Sequence, residues 1–288
     1  MVEWIVNRRK WIQLAAAGAA SAAGGGLYAT TVEPRWFDIS HTAIQMPKLQ
    51  QPLRVLHLSD LHSSAEVPTE LLLDATRAGI ARKPDLICLT GDYVTTLRHY
   101  DAAGLGRIFS MLGGTAPTYA VVGNHDCGTA HRSSNSSQAI RDLLEANGVN
   151  VLHNLSCSVE LKNGAKLSLV GTADVWNSAE FMPATAFEDV DQDLPIVALI
   201  HNPDAKSVLA EKPWDLMLSG HTHGGQVLLP FVHPYWLPVM DSRYIAGLYA
   251  LEAGRQLYIT RGVGSPKGIR FRCRPEVSVL DLQPSESI

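Results

Sequence analysis

The sequence predicts a layered α/β fold in which two sheets face each other and helices cover the outside. Three observations carry that prediction. A strand, polar loop, helix unit repeats three times between Leu53 and Gly148, the pattern of parallel strands joined by helical crossovers. From residue 151 onward the chain changes to short strand-like runs, which read as a second sheet. The polar clusters fall at the carboxyl ends of apolar strands, the edge at which open α/β sheets bind ligands.

Taken in order, Leu53–His62 ("LRVLHLSDLH") begins as an apolar strand and ends in a polar loop. Pro68–Lys83 has helical spacing, with Pro68 suited to a first turn. Pro84–Val94 is a second buried strand, and residues 101–113 form a helix stopped by Gly113-Gly114. Pro117–Asp126 is a third strand, followed by a helix over Ser137–Gly148. Residues 151–171 are short strands joined by a turn at Asn163-Gly164. Leu194–Asp204 is a strand followed by a helix, and "PWDLMLSGHTHGGQVLLP" contains another strand. Three further strand-like runs between Arg243 and Leu282 are expected in the second sheet.

The length of 288 residues suits one large domain, since no Pro/Ser/Gly linker interrupts the pattern after residue 50. A net charge of −4 gives no electrostatic case for nucleic acid. Four scattered cysteines without a C-x-x-C exclude a thiolate zinc site and a disulfide framework. The N-terminus differs in kind. Arg8-Arg9-Lys10 precedes an Ala/Gly-rich stretch with no charge until Glu33. That order is the form of an export signal, and the arginine pair resembles its twin-arginine version. Ala20-Ser21-Ala22 is a candidate cleavage site. The alternative is an uncleaved membrane anchor, although Ala and Gly contribute little transfer energy. Either reading places the remainder outside the cytoplasm or at a membrane face, and divides the chain into residues 1–33 and a domain over 34–288.

The strand ends collect a constellation. Asp60-Leu61-His62, Gly91-Asp92, Gly123-Asn124-His125-Asp126, His201 and Gly220-His221-Thr222-His223 follow in order. Each piece alone is a common loop. Five of them, each at the end of an apolar strand, are not explained by turn chemistry alone. Their oxygen and nitrogen donors suit hard and borderline divalent ions. Asp60, His62, Asp92, Asn124, His201, His221 and His223 are too many for one ion. They suit two, about 3.5–4 Å apart, sharing a bridging carboxylate.

These motifs, with "SDLH", "GDYV", "HNPD", "SGHTHGGQ", "RGVG" and "CRPEV", resemble the calcineurin-like metallophosphoesterases, in their bacterial YaeI/YkuE-type phosphodiesterase branch. The resemblance spans about Leu53 to Leu282 and implies a four-layer α/β/β/α sandwich. It implies that Asp60, His62 and His223 bind one metal, that Asn124, His201 and His221 bind a second, and that Asp92 bridges. It makes His125 a non-ligand that stabilises phosphate charge or protonates the leaving oxygen, held by Asp126. The implied activity is hydrolysis of a phosphodiester by a bridging hydroxide, with manganese, iron or zinc all acceptable. A related branch hydrolyses UDP-diacylglucosamine, so a lipid-linked or cell-envelope substrate is an open alternative. A phosphomonoesterase and a non-catalytic metal-binding protein are the competing readings. Arg261, beside glycines, is the candidate substrate-contacting cation. Lys267, Arg270, Arg272 and Arg274 read as a solvated face that anionic lipid can meet. The apolar, Pro-rich Val227–Met240 reads as packing, a lid or a lipid-contacting surface.

Overall fold

Near-continuous burial along the central strands decides the architecture, because each such strand is covered on both faces. The computed structural model describes residues 8–127, 137–232, 234 and 237–285. Helix α1 (Arg8–Thr31) comes first, then strands β1 (Asp38–Met46) and β2 (Leu53–Leu58). Three crossover helices alternate with strands: α2 (Thr69–Ile80), β3 (Leu86–Thr90), α3 (Ala102–Gly113), β4 (Thr118–Val121), α4 (Gln138–Glu145) and β5 (Asn150–Val151). The second half contains β6 (Leu155–Glu160), β7 (Lys166–Gly171), α5 (Pro183–Ala186), β8 (Ile196–Leu199), α6 (Ala205–Val208) and β9 (Leu216–Ser219). It ends with β10 (Gly247–Ala250), β11 (Gln256–Ile259) and β12 (Glu276–Pro284).

Two six-stranded sheets result, in the orders β1-β12-β2-β3-β4-β5 and β10-β11-β9-β8-β7-β6. Strands β2 to β5 run parallel, as the repeated strand and helix units require. Val55, Leu86 and Cys88 face Leu199, Leu218 and Leu169 between the sheets. Their neighbours Leu56, Ile87 and Leu89 turn outward onto Leu72, Ile108 and Leu112 of the helices. On the other flank, Ala198, Met217 and Ile259 lie under Phe187, Leu209 and Trp214. The molecule is therefore helix, sheet, sheet, helix, as expected.

Two features depart from expectation. Strand β12 belongs to the first sheet, where it pairs in parallel with β1 and antiparallel with β2. Its outward Val277 joins the cluster under α2 and its inward Leu280 the inter-sheet core, so it fills a gap between β1 and β2 that the local pattern does not reveal. Strand β1 itself has no strong apolar run. It is an edge strand with only Ile44 and Met46 fully covered. Helix α1 stands largely exposed, burying only Ala29. Among the described residues, no helix is long and apolar enough to cross a membrane.

Candidate dinuclear metal centre

Five strands, β2, β3, β4, β8 and β9, deliver the candidate residues from turns at their carboxyl ends. Because they run parallel within each sheet, those turns gather along one edge of the sandwich. The turns are tight. Asp60, His62, Asp92, His221 and His223 all lie in the left-handed region, with φ of 54°, 48°, 54°, 70° and 52°. Such backbone costs on the order of 1 kcal/mol or more per non-glycine residue and persists where surrounding bonds over-determine it. Those bonds are present: Asp60 N–H donates to Gly91 O (2.9 Å), His62 N–H to Asp92 O (3.0 Å) and Gly220 N–H to His201 O (3.0 Å). His221 N–H donates to the Asp60 carboxylate at 3.1 Å. Gly220 permits this approach, since a Cβ there would lie 2.2 Å from Asp60 Oδ2.

Two buried clusters form, Asp60 with His62 and His223, and Asp92 with His201 and His221. In the first, His62 Nε2 lies 3.1 Å from His223 Nε2, and His223 Nε2 lies 3.3 Å from Asp60 Oδ1. In the second, His201 Nε2 lies 3.1 Å from His221 Nδ1 and 3.2 Å from Asp92 Oδ2. The same Asp92 oxygen lies 3.6 Å from His62 Nε2, so one carboxylate oxygen serves both clusters. Asn124 is buried on the turn after β4, and its Oδ1 has no hydrogen-bond partner.

The donor chemistry fits divalent cations. His201 Nδ1 lies 2.7 Å from Thr90 O, and His221 Nε2 lies 2.8 Å from Pro238 O. Both of those nitrogens therefore carry protons, which leaves the two nitrogens facing each other at 3.1 Å as the ones whose lone pairs could ligate a cation. Burial would lower His201, but the Asp92 carboxylate holds it well above the usual imidazole range. Burial would likewise raise Asp92, and His201 followed by His125 holds it well below the carboxylate range. Burial drives His62 and His221 down to about 3, so both are neutral donors. Burial, with Asp92 adding to it, raises Asp60 to about 6.

His125 sits at the rim, its ring edge-on to His62 with centroids 4.9 Å apart. Asp126 does not hold it, which corrects the expectation. The His125 Nδ1–H donates to Thr95 O (2.8 Å). Asp126 instead accepts backbone N–H groups from Asp92 (2.8 Å), Tyr93 (2.9 Å), Val94 (3.3 Å) and Gly123 (2.8 Å). It is the hub that fixes the turn of Asp92, and burial raises it to about 7. Arg261 directs its guanidinium at Glu276 (3.2 Å) and Asp38 (3.3 Å). Arg270 is not on a solvated face. It is fully buried and donates to five carbonyls, those of His223, Arg261, Gly262, Gly264 and Cys273. Arg274 stacks on Trp36 at 4.1 Å, and only Lys267 and Arg272 of that run are exposed. Cys127 is buried, and burial pushes its thiol up to about 12, which leaves it inert.

Sequence reasoning missed two contributors, Asp174 and Trp176. Asp174 is fully buried, accepts from Trp176 N–H (2.8 Å) and leaves Oδ2 without a partner; burial raises it to about 6. It closes the apolar run "LSLVGTAD" after β7, so the strand-end rule that located the other acids also marks it. Trp176 meets the His221 ring edge-on at 4.6 Å. Asp204 accepts from Met240 N–H (2.7 Å) and ties down the apolar loop that supplies Pro238 O. That loop leaves Phe231 and Met240 almost wholly exposed; residues 233, 235 and 236 lie outside the described residues.

The calcineurin-like phosphoesterase family model matches residues 53–225. Over 279 residues the chain is 41% identical to phosphodiesterase YaeI of Escherichia coli (strain K12), covering 96% of this chain and all of that one. It is 30% identical over 275 residues to YkuE, an uncharacterized metallophosphoesterase of Bacillus subtilis (strain 168), covering 93% of each. It is 26% identical over 304 residues to the UDP-2,3-diacylglucosamine pyrophosphatase LpxG of Chlamydia muridarum (strain MoPn / Nigg), covering 88% of this chain and 92% of that one. Motif order, strand-end geometry and similarity along nearly the whole chain agree: the protein belongs to the calcineurin-like metallophosphoesterases, in the bacterial branch of YaeI and YkuE, and is a hydrolase of phosphoric esters.

Proposed function

We propose that the chain is a phosphodiesterase with a dinuclear metal centre, acting on a cell-envelope substrate that is lipid-linked. The observation that carries the dinuclear reading is the Asp92 oxygen placed 3.6 Å from His62 and 3.2 Å from His201, one carboxylate shared by two donor clusters. Asp60, His62 and His223 would hold one ion. His201 and His221, with Asn124, would hold the other. When bound, such a pair supplies Lewis acidity to the phosphoryl oxygens and acidifies a shared water near neutral pH. The chain's own part is positioning. Asp126 fixes the turn of Asp92, and Thr95 O fixes the His125 ring, so its Nε2 is the atom left to meet a phosphoryl or leaving oxygen. The name of the relative 41% identical to this chain supports a diester. The name of LpxG and the exposed apolar loop beside the site support a lipid-linked one. Manganese, iron and zinc all suit these donors.

The test is turnover of bis-p-nitrophenyl phosphate and p-nitrophenyl phosphate by the full chain with added manganese. Metal-dependent diester hydrolysis is expected, falling at least about a hundredfold in Asp92→Asn and His125→Ala. Wild-type rates in Asp92→Asn would end the two-metal reading. Monoester turnover far above diester would make the protein a phosphomonoesterase, and bound metal without turnover would leave a metal-binding protein.

Export by the twin-arginine route is proposed from Arg8-Arg9 and the uncharged helix behind them. Changing both arginines to lysine is expected to leave the protein in the cytoplasm on cell fractionation. Unchanged export would instead favour an ordinary anchor or signal.

A further inference from the structure

The body grips the last turn of α1 and the segment after it. Ala29 is buried and its carbonyl accepts from Arg270 N–H (2.9 Å). The Tyr28 ring meets Phe271 edge-on, centroids 6.4 Å apart. Glu33 is buried, with one carboxylate oxygen accepting from Cys273 N–H and the other lacking a hydrogen-bond partner. Arg274 donates to Trp36 O (2.8 Å) and Phe37 O (2.9 Å). A carboxylate buried with so little compensation is costly, and Cys273 N–H would be an orphan without it.

The gripped loop reaches the site. Cys273 Sγ–H donates to His223 O (3.2 Å), and Arg270 donates to the same carbonyl (3.4 Å). His223 has a left-handed backbone, φ 52°, and its ring Nδ1 has no partner. Most metal-ligating histidines are oriented through that second nitrogen. Here the two bonds to the residue's carbonyl hold it instead.

We infer that Tyr28–Phe37 is a strap that sets the position of His223, with Glu33 as its positioning residue. The inference rests on the dinuclear reading above. The strap lies on both sides of the expected boundary at residue 33, so it belongs to the working enzyme. Cleavage after Ala22 leaves it whole.

The test uses the full chain. Manganese binding to metal-stripped protein is followed by calorimetry and by the electron paramagnetic resonance of free ion, alongside diester turnover. Glu33→Ala is expected to weaken one of the two ions by about tenfold or more, with turnover restored at saturating metal. Glu33→Gln, whose amide oxygen still accepts from Cys273 N–H, is expected to bind as wild type does. Cys273→Ala keeps every strap bond but removes one of the two donors to His223 O, leaving Arg270 alone, and is expected to weaken the same ion. Should Glu33→Ala fail to fold, this variant decides. A lower melting temperature with both affinities unchanged in the folded variants would overturn the strap. A wild type without metal-dependent turnover would instead overturn the functional reading.

Discussion

Asp126 shows what a single residue can hide. Its place in the Gly-Asn-His-Asp motif suggests a partner for the adjacent histidine, yet its carboxylate meets four backbone amides. Which side chains gather was legible, because Asp and His at strand ends have few other reasons to recur. Which buried groups support them was not, since backbone hydrogen bonds leave no trace in residue type. His57 belongs to this second kind. It is fully buried on β2, edge-on to Tyr258 of the inter-sheet core, with Nε2 2.8 Å from Thr90 Oγ1, and burial lowers it to about 3. Unfolded, it titrates near 6.5. Above that pH it is neutral in both states and its contribution to stability is complete. As pH falls below about 6.5, the unfolded chain takes up a proton that the native state refuses. Stability then declines by about 1.4 kcal/mol per pH unit for this residue. His57→Asn in saturating manganese is expected to show a shallower fall of melting temperature between pH 6.5 and 4.5 than wild type. Parallel curves would mean that His57 takes up its proton without unfolding.

Elements are easier to read than their supports, and turns show why. The turn at Asn163-Gly164 and the turn at Gly220 both contain a signalled glycine, but the demands differ. Gly164 has φ 83° and open space where a Cβ would sit, so its requirement is conformational. Gly220 is crowded, and a Cβ added there would lie 2.0 Å from Ser59 Oγ and 2.2 Å from Asp60 Oδ2. Gly164→Ala is expected to lower stability by about 1 kcal/mol while turnover stays at the wild-type level. Gly220→Ala is expected to displace Asp60 and abolish turnover, with a stability loss of about 1–3 kcal/mol. Paired melting curves and diester assays separate the two; equal turnover in both would remove Gly220 from the site's construction. The parallel strands β2, β3 and β4 were legible because burial on both faces leaves unbroken apolar runs. The edge strand β1 was not, because half of it faces water and its pattern is mixed.

At the scale of the whole molecule, the sandwich and its loaded edge follow from the order of motifs, whereas the path of the last strand does not. Nothing in "EVSVLDL" distinguishes a strand of the second sheet from one that returns to the first. The answer depends on a vacancy between β1 and β2 that exists only once both are in place. Nine residue pairs join β1 to β12, from Asp38↔Glu276 to Met46↔Pro284. The first strand made thus waits for the last. A nascent chain cannot close its first sheet until the ribosome has released nearly all of it, and until then β2 presents a bare edge to any passing strand. Loss of a short C-terminal stretch therefore unmakes the beginning of the fold as well as its end, and completeness of the polypeptide becomes a condition for compactness.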